Sequence, residues 1–371
     1  MNRLKRRLFK FILFLVVLFA VLSCVYVFYF YKEYKRIPDR IYLEQDITGS
    51  YSYFQNEEAV NAGRAYNILT YDIGYGTKTA KFSSYFDGGA DIKASSEESV
   101  MANICGITDV INRSGADYVL LQEVDTDSSR SYGVNELELV NRFVYGYYYS
   151  GAKMAESMYI PYPVLKPQGV KNTLMLTYSR SAMSESVRRT LPMSSDVLNM
   201  ADYDKCYTLS RIPLANERDL VIYNVHLSSI VNNQEIYEEQ LDAILKDMQR
   251  EFDMGNYVIC GGDFGRNLKN DTSEANYDWA KDFPVWKLTK DFNIGFLVSP
   301  ASTVGHNTRR NCEKPYEKGE TFTATTDGFI VSSNVRVNFY SNADWGYEFS
   351  DHDPVIMQFF LKEATIQDAL N

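Results

Sequence analysis

Histidine is scarce in this chain and cysteine nearly so, at three and five of 371 residues. Cys24, Cys105, Cys206, Cys260 and Cys312 contain no CxxC spacing, which argues against zinc, and they are too few for a disulfide framework; at most one or two bridges can form. A GxxxxGK phosphate loop, a GxSxG elbow, an HExxH helix and a GxGxxG turn are all missing, so P-loop NTPases, α/β-hydrolases and zincins lack support. Positive charge is also short. Residues 1–40 hold nine basic and two acidic residues, leaving 29 basic against 46 acidic in 41–371, a net −17. Such a body is a poor match for a polyanion gripped by a basic surface.

What is present is ample apolar material, 45% hydrophobic and 14% aromatic, enough for a full core. Residues 1–10 form a short basic tail with Arg3, Lys5, Arg6, Arg7 and Lys10. An uncharged run follows from Phe11 to Tyr31. At 1.5 Å per residue its length matches a hydrocarbon core of roughly 30 Å. It continues through Tyr26, Phe28, Tyr29, Phe30 and Tyr31, longer than the apolar region of a cleaved signal, and so reads as an uncleaved transmembrane anchor in the lipid bilayer. Val21-Leu22-Ser23-Cys24 loosely matches a lipoprotein box, but the apolar residues after Cys24 fit that reading badly. Five basic residues before the span and four after it place the body outside the cytoplasm, on a single-pass cell-membrane protein. Residues 32–64 read as stalk and entry segment, 65–362 as one domain without internal repeats, and 363–371 as a C-terminal tail.

Strand-like runs recur at 66–71, 118–122, 173–177, 220–225, 257–260, 328–331 and 355–361, several apolar throughout, as in strands buried on both faces. Two helices are expected. Residues 100–112 align Val100, Ile104, Ile107 and Ile111, and 234–254 align Ile236, Leu241, Ile244, Leu245, Met248 and Phe252. The mixture gives an α/β or α+β class with central sheets.

Polar residues gather where these runs stop: Glu123 after the 118–122 run, His226 after Val225, Asp263 after Gly261-Gly262, Asp327 before Gly328, and Asp351-His352 before Pro354. Each alone has a bland explanation as a turn, cap or structural residue. Together they take two of only three histidines to the ends of strands, where sites are commonly built. Acidic oxygens without a Cys/His cluster favour a hard cation, Mg²⁺ or Mn²⁺. Such an ion polarises a phosphoryl oxygen while a carboxylate-oriented histidine handles a proton, the outline of phosphoester hydrolysis. A glycosidase with paired carboxylates leaves both histidines unexplained. Arg130 and His306 read as surface loop residues, Gly74-Tyr75-Gly76 as a turn, and 145–149 as packing tyrosines.

In order, LTYDIGYG (69–76), LLQEVD (120–125), YNVHLS (223–228), GGDFG (261–265), TTDGFIVS (325–332) and SDHDPV (350–355) resemble the endonuclease/exonuclease/phosphatase, or deoxyribonuclease I-like, superfamily, and with the N-terminal span its membrane-anchored bacterial branch. The resemblance implies a four-layer sandwich, two central mainly antiparallel sheets flanked by helices. It implies Glu123 and Asp351 as metal ligands, His352 oriented by Asp327 as catalytic, Asp263 acting on nucleophile or leaving group, and His226 on the scissile phosphate. Two positions depart from the family's asparagines: Asp72, a further metal ligand, and Gly265, which offers no side chain where a donor is usual. Losing a preorganised donor costs about two to three orders of magnitude in rate. A hydrolase of a lipid head group or small phosphodiester rather than duplex DNA is therefore expected, with a catalytically degraded ligand-binding or surface-interaction protein as the alternative. No protein partner is expected.

Overall fold

The computed structural model describes residues 3–34, 36–49, 60–193, 204–227, 234–271 and 277–363. Most of the expected C-terminal tail, the first two residues of the basic tail and residues 50–59 of the expected stalk lie outside these. The chain divides into two units, Met1–Ile37 and Pro38–Asn371. The first is one helix, Arg3–Glu33, of which Arg3–Tyr29 is long and apolar enough to cross a membrane.

The second unit is built on two sheets. The eight-stranded sheet runs Ser302–Thr303, Val335–Asn342, Val355–Leu361, Ala65–Asp72, Tyr118–Asp125, Gly169–Ser179, Tyr148–Ile160 and Gln45–Ile47. The seven-stranded sheet runs Ile41–Tyr42, Glu185–Thr190, Cys206–Pro213, Asp219–His226, Tyr257–Asp263, Asp327–Ser332 and Phe292–Ile294. Pairing is antiparallel except at the edge pair with Ser302–Thr303 and at one central pair in each sheet, Ala65–Asp72 with Tyr118–Asp125 and Asp219–His226 with Tyr257–Asp263. Residues 41–47 of the expected entry segment thus supply an edge strand to each sheet.

Alternation along the central strands explains the layers, because successive side chains leave opposite faces. Ile68, Tyr118 and Leu120 meet Leu220, Ile222, Ile259 and Phe329 between the sheets. The intervening residues Leu69, Val119 and Leu121 face Val100, Ile104 and Ile107 of the helix Glu97–Ser114 and Val140 of Glu136–Phe143. Val221, Tyr223 and Val258 face Leu241, Ile244 and Met248 of Gln234–Asp253. Strands covered on both sides read as unbroken apolar runs for this reason. Each such aliphatic side chain contributes roughly 1.5–3 kcal/mol on burial. Glu97–Ser114 begins on a Ser96–Ser99 capping box and ends on left-handed Gly115, so its limits are set by residues the sequence displays. The result is an α/β sandwich of four layers, as the resemblance implies.

Candidate active site

The two parallel pairs end side by side, which gathers residues far apart in sequence. In one sheet Asp72 pairs in register with Gln122, next to Glu123. In the other Asp263 lies between His226 and Asp327. A buried amide bridge locks the sheets together beside the site: Gln122 Nε2 donates to Asn224 Oδ1 at 2.7 Å, and Asn224 Nδ2 donates to the Leu176 carbonyl at 2.9 Å. In front of it, His226 Nε2 lies 3.4 Å from Asp72 Oδ2, 3.4 Å from Glu123 Oε1 and 3.9 Å from Asp263 Oδ2.

Local backbone devices aim these side chains. Glu123 has φ 56° at the bulge where Tyr118–Asp125 slips register against Gly169–Ser179. The extra residue turns its carboxylate out of the strand alternation. Gly262 has φ +143°, and a Cβ there would meet the Val225 carbonyl oxygen at 1.9 Å, so no other residue lets Asp219–His226 and Tyr257–Asp263 deliver His226 and Asp263 together. Backbone N–H groups fix the acids: Gly74 donates to Asp72 Oδ1 at 3.0 Å and Gly265 to Asp263 Oδ1 at 2.8 Å. Ser350 Oγ donates to the Asp72 carbonyl at 2.8 Å, docking the Asp351-His352 loop on the first strand.

Charges are interleaved. Lys78 Nζ sits 3.0 Å from Glu123 Oε2 and 3.3 Å from Asp351 Oδ2, between two of the expected metal ligands. Tyr75 hydroxyl donates to Glu123 Oε1. His352 Nδ1 lies 2.8 Å from Asp327 Oδ2. Burial opposes a charge on His352, yet Asp327, Asp72 and Asp351 lift its pKa to about 10, leaving it an imidazolium at neutral pH. Burial, with Lys205 at 3.4 Å from Nδ1, keeps His226 neutral. An ammonium donating to Nδ1 leaves the ring proton on Nε2, facing the acids. Burial would raise Glu123, but Lys78 and His226 hold it well below the usual carboxylate range. Burial and the Glu123 charge push Asp72 well up.

The donor set suits a hard cation. Asp72, Glu123 and His226, and likewise Asp72, Asp263 and His352, each place ligand atoms within 4.8 Å of one another. Asp72 Oδ2 and Asp263 Oδ2 are buried with no hydrogen-bond partner among the described residues, which leaves each with a lone pair to offer a cation. Asp351 is in neither group and is held through Lys78 and by Cys312 Sγ at 3.4 Å.

Three readings of the sequence change. Arg130 is no solvated loop residue: its guanidinium makes a fork on Asp125, at 2.8 and 2.9 Å, and stacks on Tyr75, 3.1 Å from the ring centroid. His306 is half-buried, with Nε2 2.7 Å from Asp353 Oδ2. The Gly74-Tyr75-Gly76 turn is a turn, but one that carries Tyr75 to Glu123. Of the tyrosines in 145–149, Tyr147 and Tyr149 pack against Tyr178 as expected, whereas Tyr145 is exposed. All five cysteines are free. Neither neighbour of Gly265 fills its place: Arg266 donates to the Gly265 carbonyl and Gln234, and Asn267 Nδ2 to Asp271. Lys78, Tyr75, Gln122 and Asn224 join the site only through the fold. The amides sit inside the LLQEVD and YNVHLS fragments, which was the available signal, whereas Lys78 has none.

No family model matches the sequence, and no curated protein matches it either. Solved structures share its fold. An endonuclease/exonuclease/phosphatase from Beutenbergia cavernae superposes with a TM-score of 0.57 at 15% identity, over 82% of this chain and 73% of that one. A Bacteroides vulgatus protein of the same description gives 0.54 at 15%, over 81% and 100%. A mannosyl-6-phosphatase from Bacteroides thetaiotaomicron gives 0.52 at 13%, over 80% and 100%.

Proposed function

Taking the endonuclease/exonuclease/phosphatase fold as premise, we propose that this chain is a membrane-anchored, divalent-metal-dependent phosphoester hydrolase. The observation that carries the reading is the meeting of Asp72, Glu123, His226, Asp263 and the His352–Asp327 pair at one end of both sheets, with buried carboxylate oxygens that have no hydrogen-bond partner among the described residues. Asp72 and Glu123 hold the ion, Mg²⁺ or Mn²⁺, with Asp351 flanking it across Lys78. When bound, it polarises a nonbridging oxygen and offsets charge on the leaving group. His352, charged and braced by Asp327, donates a proton to the leaving oxygen, and Asp263, held ionised against burial by Arg309 and the His352 imidazolium, accepts one from the attacking water. His226 directs Nε2–H toward charge growing on the phosphorus oxygens.

The body's net −17 and the N-terminal helix favour a lipid head group or small phosphodiester over duplex DNA, with the body outside the cytoplasm. Gly265 supports a second reading, a catalytically degraded binding protein. The test is a metal-dependent hydrolysis screen of the detergent-solubilised full chain over sphingomyelin, phosphoinositides, plasmid DNA and a bis-aryl phosphodiester, with Glu123→Gln and His352→Ala as controls. Turnover in the parent lost in both variants supports the enzyme; equal turnover in all three refutes it. Silence that Gly265→Asn relieves supports the degraded reading. Gly265 has φ 58°, the left-handed region that asparagine tolerates best. Protease added outside intact cells should cut the body; full protection refutes the orientation.

A further inference from the structure

Two arginines adjoin the site in the short strand Arg309–Arg310, whose backbone bridges to His352. Their environments differ sharply. Arg310 is fully buried and spends its donors on carbonyls: Nη2 on Thr79 and Phe82, Nη1 on Asn311 and Lys314. It is a structural clamp.

Arg309 makes no such use of its fork. Its guanidinium carbon lies 4.6 Å from the centroid of Trp279, a ring that packs with Tyr277 and Phe322. That contact orients the plane without consuming N–H groups. Nη1 points at the catalytic cluster, 3.5 Å from Asp263 Oδ2. Both atoms are buried, and neither has a hydrogen-bond partner among the described residues. The side chain as a whole keeps 18% of its surface exposed, so it is not walled in on every side. A guanidinium N–H sealed from water and left without an acceptor is expensive unless an acceptor arrives with a ligand. In the loop just after Asp263, Gly265 has no side chain, and Arg266 and Asn267 are engaged elsewhere.

We propose that Arg309, oriented by the face of Trp279, donates to a nonbridging oxygen of the scissile phosphate and thereby fills the place that Gly265 leaves without a side chain. The inference rests on the phosphoester reading and adds a catalytic residue to it, with Trp279 as a positioning residue. It also fits an acidic body handling an anion, since the positive charge is gathered at the site rather than spread over a surface.

Binding of inorganic phosphate to the full chain in detergent, measured by titration calorimetry with Mn²⁺ present, separates the possibilities. Arg309→Met should weaken phosphate by about ten- to hundredfold, the worth of one charge-assisted hydrogen bond. Mn²⁺ should still bind, and the circular dichroism spectrum should keep its folded form. Arg309→Lys should fall between, keeping the charge and losing the fork. Arg309→Ala should regain phosphate binding on addition of guanidinium, which a merely structural role would not allow. Equal phosphate affinity in the parent and Arg309→Met overturns the assignment while leaving the enzyme intact. No phosphate binding by the parent chain overturns both.

Discussion

Replacing Lys78 with methionine removes one positive charge from the middle of the acidic cluster while keeping the side chain's length. The ammonium lies 3.0 Å from Glu123 and 3.3 Å from Asp351. An ion held by Asp72 and Glu123 shares Glu123 with it, which sets them about 5 Å apart; at an effective dielectric of ~20 that is roughly 3 kcal/mol of repulsion per unit of charge product. The Lys78 side chain is 20% exposed, so solvent reduces the effect. A gain of about 1–3 kcal/mol in metal binding remains, about ten- to hundredfold. Without metal the sign reverses, because Glu123 and Asp351 lose the cation that both contact and stand as buried, uncompensated charges. Mn²⁺ titration followed by electron paramagnetic resonance should show tighter binding in Lys78→Met. Melting in EDTA should show a lower midpoint than the parent, recovered on adding Mn²⁺. Equal Mn²⁺ affinity in the two chains would refute the idea that Lys78 competes with the ion.

Asp327→Asn should lower kcat by about two to four orders of magnitude, because the imidazole loses its charged brace, with KM nearly unchanged in steady-state assays. Gln122→Ala leaves Asn224 Oδ1 without its donor between the sheets and should cost about 1–3 kcal/mol in denaturant unfolding. Gly262→Ala drives a methyl into the Val225 carbonyl and should abolish soluble expression or lower the melting point more than any other glycine-to-alanine change in the site. In the metal-free chain the ring of His352 should titrate near 10 by NMR. Because its folded pKa is raised, its contribution to stability is complete below the free imidazole value, about 6.5, and is lost as pH rises through about 10.

The central strands were legible because helices cover their outer faces, making runs such as Tyr118-Val119-Leu120-Leu121 apolar at every position. Peripheral strands were not. Tyr148–Ile160 carries Ser150, Gly151, Lys153 and Glu156, and two bulges interrupt its pairing, so no simple period survives. The ends of Tyr118–Asp125 and Asp219–His226 also run further than the apolar signal, because Glu123, Asp125 and His226 are buried polar residues that hydropathy reads as termination. Chemistry-bearing residues within the six fragments could be located because each fragment joins a strand end to the site. Lys78 and Arg309 could not, since each reaches the cluster from a turn or short strand placed only by tertiary packing. Arg130 and His306 look like surface loop residues in the sequence for the same reason: Asp125 and Asp353, the carboxylates that draw them inward, are identifiable as partners only once the chain is folded.

The central claim is that acids and imidazoles from both sheets hold a divalent ion beside a phosphorus atom. Relaxation of the ³¹P signal of inorganic phosphate by Mn²⁺ bound to the full chain reads that adjacency directly. Strong enhancement in the parent, lost with the ion in Glu123→Gln, is the predicted result. Mn²⁺ that binds while the phosphate signal stays at its free-solution rate would contradict it.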